Sequence, residues 1–112
     1  MFDNDCIFCK IIRDEIPSVK VYEDEKMLVF KDVEPKAKVH LLAIPKDHFK
    51  LLSEMNEDRA ELLKYMLLKI PEIAAANGLK NGYRLIVNQG DDAGQTVFHL
   101  HIHVLGGETL NW

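Results

Sequence analysis

Residues 97–105 alternate between histidine and apolar side chains, and no other segment constrains the fold of this chain as strongly. Successive side chains of a β-strand point to opposite faces, so the alternation predicts a strand over 97–105. His99, His101 and His103 then share one face. The opposite face is apolar and requires a core behind it; it consists of Phe98, Leu100, Ile102 and Val104. The segment therefore predicts a half-buried strand with a row of three imidazoles.

The rest of the chain supplies four further strands and two helices. Apolar periodicity predicts a short helix over 6–13, strands over 19–23, 27–32, 39–44 and 83–88, and a long helix from the cap Asn56 to Asn77 and Gly78. Pro71 lacks an N–H group and is expected to kink the long helix or divide it in two. The order β-β-β-α-β-β predicts an α+β fold, a five-stranded antiparallel sheet with its helices on one face.

Length and composition fit a single domain over residues 1–112. The net charge is −4, whereas a nucleic-acid groove needs a basic surface, so nucleic-acid binding is not expected. No apolar run approaches the ~20 residues of a membrane helix, and the first ten residues lack the features of a secretory signal. A domain of this size needs no disulfide, so with only two cysteines the expected location is the reducing cytoplasm.

The histidine face has two chemical interpretations and one without chemistry. Alternate residues of a strand are ~6.6 Å apart, so three imidazoles in a row cannot converge on one metal ion. A phosphate site fits better, since an imidazole with a pKa of ~6.5 serves as nucleophile, acid or cationic donor at neutral pH. Residues 88–96 supply amide and hydroxyl donors and two glycines that permit close approach. Three solvent-facing histidines without chemistry are the less favoured alternative.

Cys6 and Cys9 form a Cys-x-x-Cys pair that the sequence alone leaves open. Such a pair serves as a redox couple, as two buried thiols or as half of a zinc site. A redox couple is expected after a strand, but only five residues precede Cys6. A zinc site requires two further ligands from elsewhere in the chain.

The segment from His99 to Leu105 matches the pattern His-x-His-x-His-hydrophobic-hydrophobic, and with it the chain resembles the histidine triad (HIT) family. The likeness points to the Hint branch and covers nearly the whole chain, through residues 8–17, 44–48, Asn88, 94–97, and 106–107 followed by a tryptophan. The resemblance implies a protomer that pairs into a homodimer with a ten-stranded arrangement. It also implies hydrolysis of nucleoside phosphoramidates and related purine mononucleotide derivatives, without a catalytic metal.

The resemblance implies roles for individual side chains as well. His101 would be the nucleophile that forms a nucleotidyl-histidine intermediate, with His103, His40 and Thr96 as the other catalytic residues. The implied nucleotide site is lined by Asn88, Gly94, Gln95, Thr96, His101 and His103 at the phosphate, Asp32 at the ribose, and Phe8, Ile11, Phe30 and Val33 at the base. Trp112 would approach the active site of the second protomer. On the residues alone, core packing is the favoured explanation of the four apolar side chains. Asp32 fits a turn, and Asn88 fits a strand-end cap, as well as each fits the nucleotide site.

Relatives of the bacterial type with this cysteine pair resemble structural zinc proteins, which implies as ligands Cys6, Cys9, His48 and His99. Four protein ligands describe a structural centre, because no position remains for water. Free thiols are the alternative.

Two other functions remain open on the sequence. One is a nucleotide-binding or scaffolding module with incidental hydrolysis, and the other is a metal-dependent hydrolase with His99 and His101 on one ion. Two positions depart from the Hint pattern, since Thr96 stands where serine is usual and Phe98 where tyrosine is frequent.

Overall fold

The computed structural model describes residues 4–112. Its strands are β1 (Lys20–Glu23), β2 (Met27–Lys31), β3 (Val39–Pro45), β4 (Tyr83–Ile86) and β5 (Ile102–Gly106). Its helices are α1 (Ile7–Ile12) and α2 (Glu57–Ala76), and two short 3-10 turns lie at Leu52–Glu54 and Asp91–Ala93. The strands form one antiparallel sheet in the order β1-β2-β3-β5-β4, which confirms the predicted α+β fold. Within residues 4–112, no helix combines the length and apolar composition needed to cross a bilayer.

Helices cover both faces of the sheet, so the prediction that they share one face was wrong. α2 packs against one face, whose buried residues are Met27, Val29, Leu41, Ala43, Ile102 and Val104. α1 packs against the other face, whose buried residues are Leu28, Phe30, Leu42 and Ile44. The physical reason is that β2 and β3 are buried at nearly every position rather than at alternate ones, so both of their faces require a cover.

β5 begins at Ile102, five residues later than predicted. Its pairing with β3 ends at the pair of Ala43 and Ile102. Beyond this pair β3 reaches Pro45, which has no N–H group to continue the ladder. The N–H of Leu100 donates instead to the carbonyl of Phe49 at 2.8 Å. Residues 97–101 consequently form a bend that leads into the strand.

α2 continues without interruption through Pro71, so of the two expected effects of this proline, a kink or a division of the helix, the division does not occur. Asn56 caps the first turn by accepting a hydrogen bond from the N–H of Arg59 at 2.9 Å. Pro71 removes the bond to the carbonyl of Leu67, four residues earlier. Both side chains lie on the exposed side of the helix, where water satisfies such a carbonyl. Packing of the buried side of α2 against the sheet outweighs the missing bond.

A hydrogen-bond cluster around Asp24 ties the turn between β1 and β2 to α2. The Oδ2 atom accepts from the hydroxyls of Tyr22 and Tyr65, and Oδ1 accepts from the N–H groups of Lys26 and Met27. Burial raises the pKa of the Asp24 carboxyl, but the hydrogen bonds outweigh burial and lower the pKa from 3.8 to about 2. The carboxylate form is therefore the one that holds the turn.

Replacing Asp24 with alanine is expected to lower the free energy of unfolding by about 2 kcal/mol at pH 7, because hydrogen bonds to a charged group are strong but this one is partly exposed. The folded pKa lies below the ordinary value, so the contribution is complete above about pH 4 and disappears as the pH falls toward 2. Urea unfolding of both proteins across this range measures the difference. Glu25→Gln, an exposed change in the same turn, serves as the control. Equal stability of wild type and Asp24→Ala at pH 7 would contradict the link.

Candidate functional site

The three histidines, which were predicted to share one strand face, lie on the side of the sheet that α1 covers, since the ring of Phe8 contacts both His99 and His101 and the ring of His101 contacts His103. Only His103 lies in β5. The Nδ1 atom of His99 faces the cysteines, whereas the rings of His101 and His103 lie side by side, 5.0 Å apart. Phe98 was predicted to lie on the apolar core face, but it is 41% exposed on the bend. The strand predicted over 97–101 was wrong, because β5 does not extend beyond Ile102, and the bend directs His99 at the cysteines while keeping it on the side of the sheet that α1 covers.

His101 is held in one protonation form by its own backbone segment. Its Nδ1 atom lies 2.7 Å from the carbonyl oxygen of His99, and since this oxygen only accepts, Nδ1 carries the proton. In a neutral imidazole the lone pair then resides on Nε2. The Nε2 atom makes no hydrogen bond with residues 4–112 and is not enclosed, although the whole residue is only 7% exposed. His101 thus directs an unprotonated nitrogen outward from a buried ring.

Burial lowers the pKa of His101, and this effect exceeds the opposing effects of the His99 carbonyl and of Asp32. The ring is therefore neutral at pH 7. A neutral imidazole with a free Nε2 lone pair is the form of histidine that acts as a nucleophile or a base.

His40, on β3, forms a hydrogen bond with His103. The Nε2 atom of His40 lies 2.9 Å from Nδ1 of His103 and 3.4 Å from Oδ2 of Asp32. The Nδ1 atom of His40 lies 3.0 Å from the main-chain N of Lys36. Burial is the main cause that lowers the pKa of His103 to about 4, and the neighbouring His101 and His40 lower it further. Three of the predicted site residues, Asp32, His40 and His103, are therefore in contact.

An apolar wall lies beside these histidines, on the sheet face that α1 covers. The ring of Phe8 packs edge-on against His101 and against Phe30, with centroid distances of 5.2 and 5.5 Å. Ile11 is buried in the same cluster. Val33 is 90% exposed and lies outside this cluster. The structure thus brings together three of the four side chains predicted for the base pocket.

The glycine loop over 88–96 is organised by Gln95. The Gln95 side chain accepts from the N–H of Gly90 at 2.8 Å and donates to the carbonyls of Lys50 and Val97 at 2.9 and 3.1 Å. Its amide is therefore engaged within the protein, and its role is to shape the loop. Gly94 adopts φ +83°, which favours glycine, and the next residue but one, Thr96, is exposed.

Trp112 does not approach the histidines of its own protomer. The Arg84 guanidinium of β4 lies 5.7 Å from the centroid of its ring and donates to the carbonyl of Asn111 at 2.6 Å. The indole is otherwise fully exposed. The C-terminal segment thus contacts the Arg84 side chain of the outer strand β4.

Two cysteines and two histidines form a second cluster, called here the Cys/His cluster: Cys6, Cys9, His48 and His99. Their four ligand atoms all lie within 4.8 Å of one another. Nδ1 of His99 is 3.4 Å from Sγ of Cys6 and 3.6 Å from Sγ of Cys9, and Nδ1 of His48 is 3.4 Å from Sγ of Cys9. Both cysteines are reduced. The structure thus assembles all four residues predicted as metal ligands.

The donor set of the Cys/His cluster fits zinc. A tetrahedron with zinc–sulfur bonds of ~2.3 Å and zinc–nitrogen bonds of ~2.0–2.1 Å has edges of roughly 3.3–3.8 Å. The two histidine Nδ1 atoms are 3.1 Å apart, close to such an edge. Nε2 of His99 lies 2.8 Å from the carbonyl oxygen of Pro45, so it carries the proton and leaves the Nδ1 lone pair directed at the cysteines. The same geometry places His99 and His101 in different sites.

Comparisons with known proteins agree with this fold. The family model described as scavenger mRNA decapping enzyme C-term binding matches residues 5–110. Protein HitA of Neisseria gonorrhoeae is 52% identical over 103 residues, which cover 92% of this chain and 96% of HitA. The 14 kDa zinc-binding protein of Zea mays is 46% identical over 112 residues, covering 98% of this chain and 88% of the maize protein.

A solved structure agrees closely as well. The HIT family hydrolase from Clostridium thermocellum superposes with a TM-score of 0.94 at 46% identity, covering 98% of this chain and 96% of the other. The sheet topology and the two histidines beside an apolar wall are joined by relatives that match over nearly the full chain. Together they define the class to which this protein belongs. The chain belongs to the histidine triad (HIT) family.

The sequence does not show which main-chain groups orient the histidines, although the family resemblance implies a main-chain carbonyl beside the nucleophile. The carbonyls of His99 and Pro45 and the N–H of Lys36 each fix a proton on an imidazole. Every residue carries such groups, so the sequence contains no signal that distinguishes these three. Only the positions of the bend and of the loop after β2 reveal them.

Proposed function

We propose that this protein hydrolyses nucleoside phosphoramidates and related derivatives of purine 5′-mononucleotides through a nucleotidyl-histidine intermediate on His101. The observation that carries the proposal is the outward Nε2 lone pair of His101, secured by the bond from Nδ1 to the His99 carbonyl. The name of the Clostridium thermocellum relative, a HIT family hydrolase, supports hydrolysis as the reaction type.

The proposed reaction consists of two displacements at the α-phosphorus. In the first, Nε2 of His101 forms a bond to phosphorus, the P–N bond of the substrate breaks, and the departing amine takes up a proton. In the second, water attacks the same phosphorus, the phosphorus–histidine bond breaks with its electron pair returning to Nε2 of His101, and the nucleoside monophosphate leaves as the water gives up a proton to the solvent, which replaces the proton taken up by the amine. His103 would interact with the phosphate oxygens or the leaving group; the contact of its ring with that of His101 supports this role.

The nucleotide would lie along the face that α1 covers. Phe8, Ile11 and Phe30 offer a buried apolar wall for a flat base. The carboxylate of Asp32 suits a ribose diol, because each of its oxygens accepts a hydroxyl hydrogen bond. Asn88, Thr96 and the main chain of Gly94 would bind the phosphate. Gln95 acts indirectly, by holding the loop, and Val33 would contribute only at the open margin.

Turnover of adenosine 5′-phosphoramidate, measured together with the affinity for AMP, tests the proposed activity against its alternatives. The proposal expects catalytic turnover that persists in a chelator. AMP binding without turnover would indicate a nucleotide-binding module. Turnover that stops on chelation while the fold persists would indicate a metal-dependent hydrolase.

We further propose that the Cys/His cluster binds one structural zinc ion per chain. The reduced cysteines, the tetrahedral spacing and the bond from His99 to Pro45 support this, as does the printed name of the maize relative. Zinc held by Cys6 and Cys9 would fix α1 to the sheet. Thiolate ligands also suit a reducing cytoplasm, which is the location we infer.

We also propose a homodimer in which two five-stranded sheets join through β4 into a ten-stranded arrangement. β4 is an outer strand, and its main-chain groups are open to pairing on one side. Tyr83 and Leu85 expose apolar surface on the sheet face that α2 covers, and Leu68 of α2 is 67% exposed.

The substitution Leu85→Glu is expected to convert the dimer to monomers, because it brings like charges together across a two-fold axis. Sedimentation or light scattering should give twice the chain mass of 12.9 kDa for the wild type and the single mass for the variant. Val19→Glu, an exposed change near the opposite edge of the sheet, should remain dimeric. A monomeric wild type at micromolar concentration would disprove the proposed assembly.

A further inference from the structure

A chain of hydrogen bonds leads from the main chain of Lys36 through His40 to His103. The N–H of Lys36 points at Nδ1 of His40, with the nitrogen atoms 3.0 Å apart. A main-chain N–H only donates, so Nδ1 of His40 accepts and carries no proton. A neutral imidazole holds its single proton on the other nitrogen, here Nε2.

The hydrogen bond between His40 and His103 in turn fixes which nitrogen of His103 carries the proton. Nε2 of His40 and Nδ1 of His103 are 2.9 Å apart, a distance that two lone pairs do not adopt. Nε2–H of His40 therefore donates, and Nδ1 of His103 accepts. The proton of a neutral His103 is consequently on Nε2. Asp32 Oδ2, 3.4 Å from Nε2 of His40, also favours a proton on this nitrogen.

Both imidazoles are neutral near pH 7, as this assignment requires. Burial is the largest cause that lowers the pKa of His40, and Lys36 adds to it while Asp32 opposes it. Burial also dominates at His103, where His101, His40 and Lys36 lower the pKa and Asp32 raises it. The proton on Nε2 of His40 further argues that Asp32, His40 and His103 form a hydrogen-bond chain rather than a metal site.

The neighbouring rings of His101 and His103 thus carry opposite tautomers. His101 is protonated on Nδ1, through the carbonyl of His99, and its Nε2 presents a lone pair. His103 is protonated on Nε2, which has no hydrogen-bond partner among residues 4–112 and is not enclosed. One ring offers an electron pair and its neighbour offers an N–H group, 5.0 Å between centroids.

We propose that Lys36 is a positioning residue: its main-chain N–H sets the tautomers of His40 and His103 so that His103 donates a hydrogen bond from Nε2 to the phosphate beside the nucleophile. This inference rests on the proposed function for its phosphate ligand. With the opposite polarity, the Nε2 lone pair of His103 would face phosphate oxygens and repel them. The tautomer of His103 therefore decides whether this ring assists or opposes the bound phosphate.

The loop that presents this N–H is anchored at its start. Asp32 donates its N–H to the carbonyl of His40 at 3.0 Å, and its Oδ1 accepts the N–H of Glu34 at 2.8 Å. The Nζ atom of the Lys36 side chain donates to the carbonyl of Glu34 at 3.2 Å, so the side chain takes no part in the hydrogen bond to His40. Lys36→Ala thus keeps the relevant N–H, whereas Lys36→Pro removes it. These two substitutions form a matched pair.

Nitrogen NMR of the full-length, zinc-loaded protein with ¹⁵N-labelled histidine, at pH 7 and without nucleotide, reads the tautomers directly. We expect Nε2–H forms for His40 and His103 and an Nδ1–H form for His101, unchanged in Lys36→Ala. In Lys36→Pro, His40 and His103 should shift toward the Nδ1–H form. A wild-type His40 protonated on Nδ1 would overturn the inference, and this spectrum decides even if the proline variant fails to fold.

Kinetics test the functional half of the inference. Lys36→Pro should turn over adenosine 5′-phosphoramidate about tenfold more slowly than Lys36→Ala, mainly in kcat, because one donor to the reacting group is lost. Equal kcat values for the two variants, with the tautomers shifted, would overturn the role of His103 as donor. If the wild type has no turnover at all, the proposed function fails while the tautomer assignment is still decided by the spectra.

Discussion

His101→Ala is expected to lower kcat on adenosine 5′-phosphoramidate by at least about 10³-fold while changing the affinity for AMP by no more than about threefold. The imidazole supplies the attacking electron pair, and no other ring in the site presents an unprotonated Nε2 in the same position. The apolar wall, Asp32 and the glycine loop remain in place, so the ground-state contacts with a nucleotide persist. Steady-state kinetics and calorimetric titration with AMP measure the two quantities.

A control for this substitution comes from the same bend. Phe98→Tyr changes an exposed side chain three residues away and should retain wild-type turnover. A His101→Ala variant that turns over at the wild-type rate would remove the nucleophile from the account. Loss of AMP binding together with turnover would instead show that the variant had lost the pocket.

Cys9→Ser is expected to abolish stoichiometric zinc binding and to lower the melting temperature by about 10 °C or more. Cys9 is completely buried, and its Sγ lies within 3.6 Å of Nδ1 of both His48 and His99. A serine hydroxyl is a poor zinc ligand, so three ligands would remain around an open position. Metal analysis of the purified protein and thermal unfolding measure both effects.

The matched control is Ile7→Ser on the same helix, because Ile7 is 45% exposed and is not one of the four residues of the Cys/His cluster. It should retain about one zinc ion per chain. Wild-type protein that is folded, metal-free and as stable as after zinc addition would contradict the proposed zinc centre. We expect Cys9→Ser also to weaken nucleotide binding, since Phe8 lies beside Cys9 on α1 and packs on His101.

The sequence predicts the elements of this fold more accurately than their limits and their layering. All five strands exist where the apolar patterns indicate them, but alternation cannot show where pairing stops. β5 is short because Pro45 ends the ladder between β3 and β5, and because the N–H of Leu100 donates to the carbonyl of Phe49 instead of to β3. The second helical layer follows from the two-sided burial of β2 and β3, which the order of the elements along the chain does not indicate.

For the candidate site, likewise, the sequence predicts which side chains take part more accurately than where each one lies. The family pattern names side chains, and the structure brings most of them together: two histidines with His40 and Asp32, three apolar side chains of the base wall, and the four members of the Cys/His cluster. It also shows that Val33 is exposed and that the Gln95 amide is used within the loop. Neither is evident from a motif, because both depend on where the backbone turns.

The covalent intermediate tests the central claim most directly. Rapid quenching of the enzyme with adenosine 5′-phosphoramidate under alkaline conditions, followed by mass spectrometry of its peptides, locates any nucleotidyl group. The account predicts an adenylyl adduct on His101 that forms and decays at rates compatible with turnover and is absent from His101→Ala. An adduct on another residue, or turnover with no adduct under conditions that preserve phosphohistidine, would contradict it.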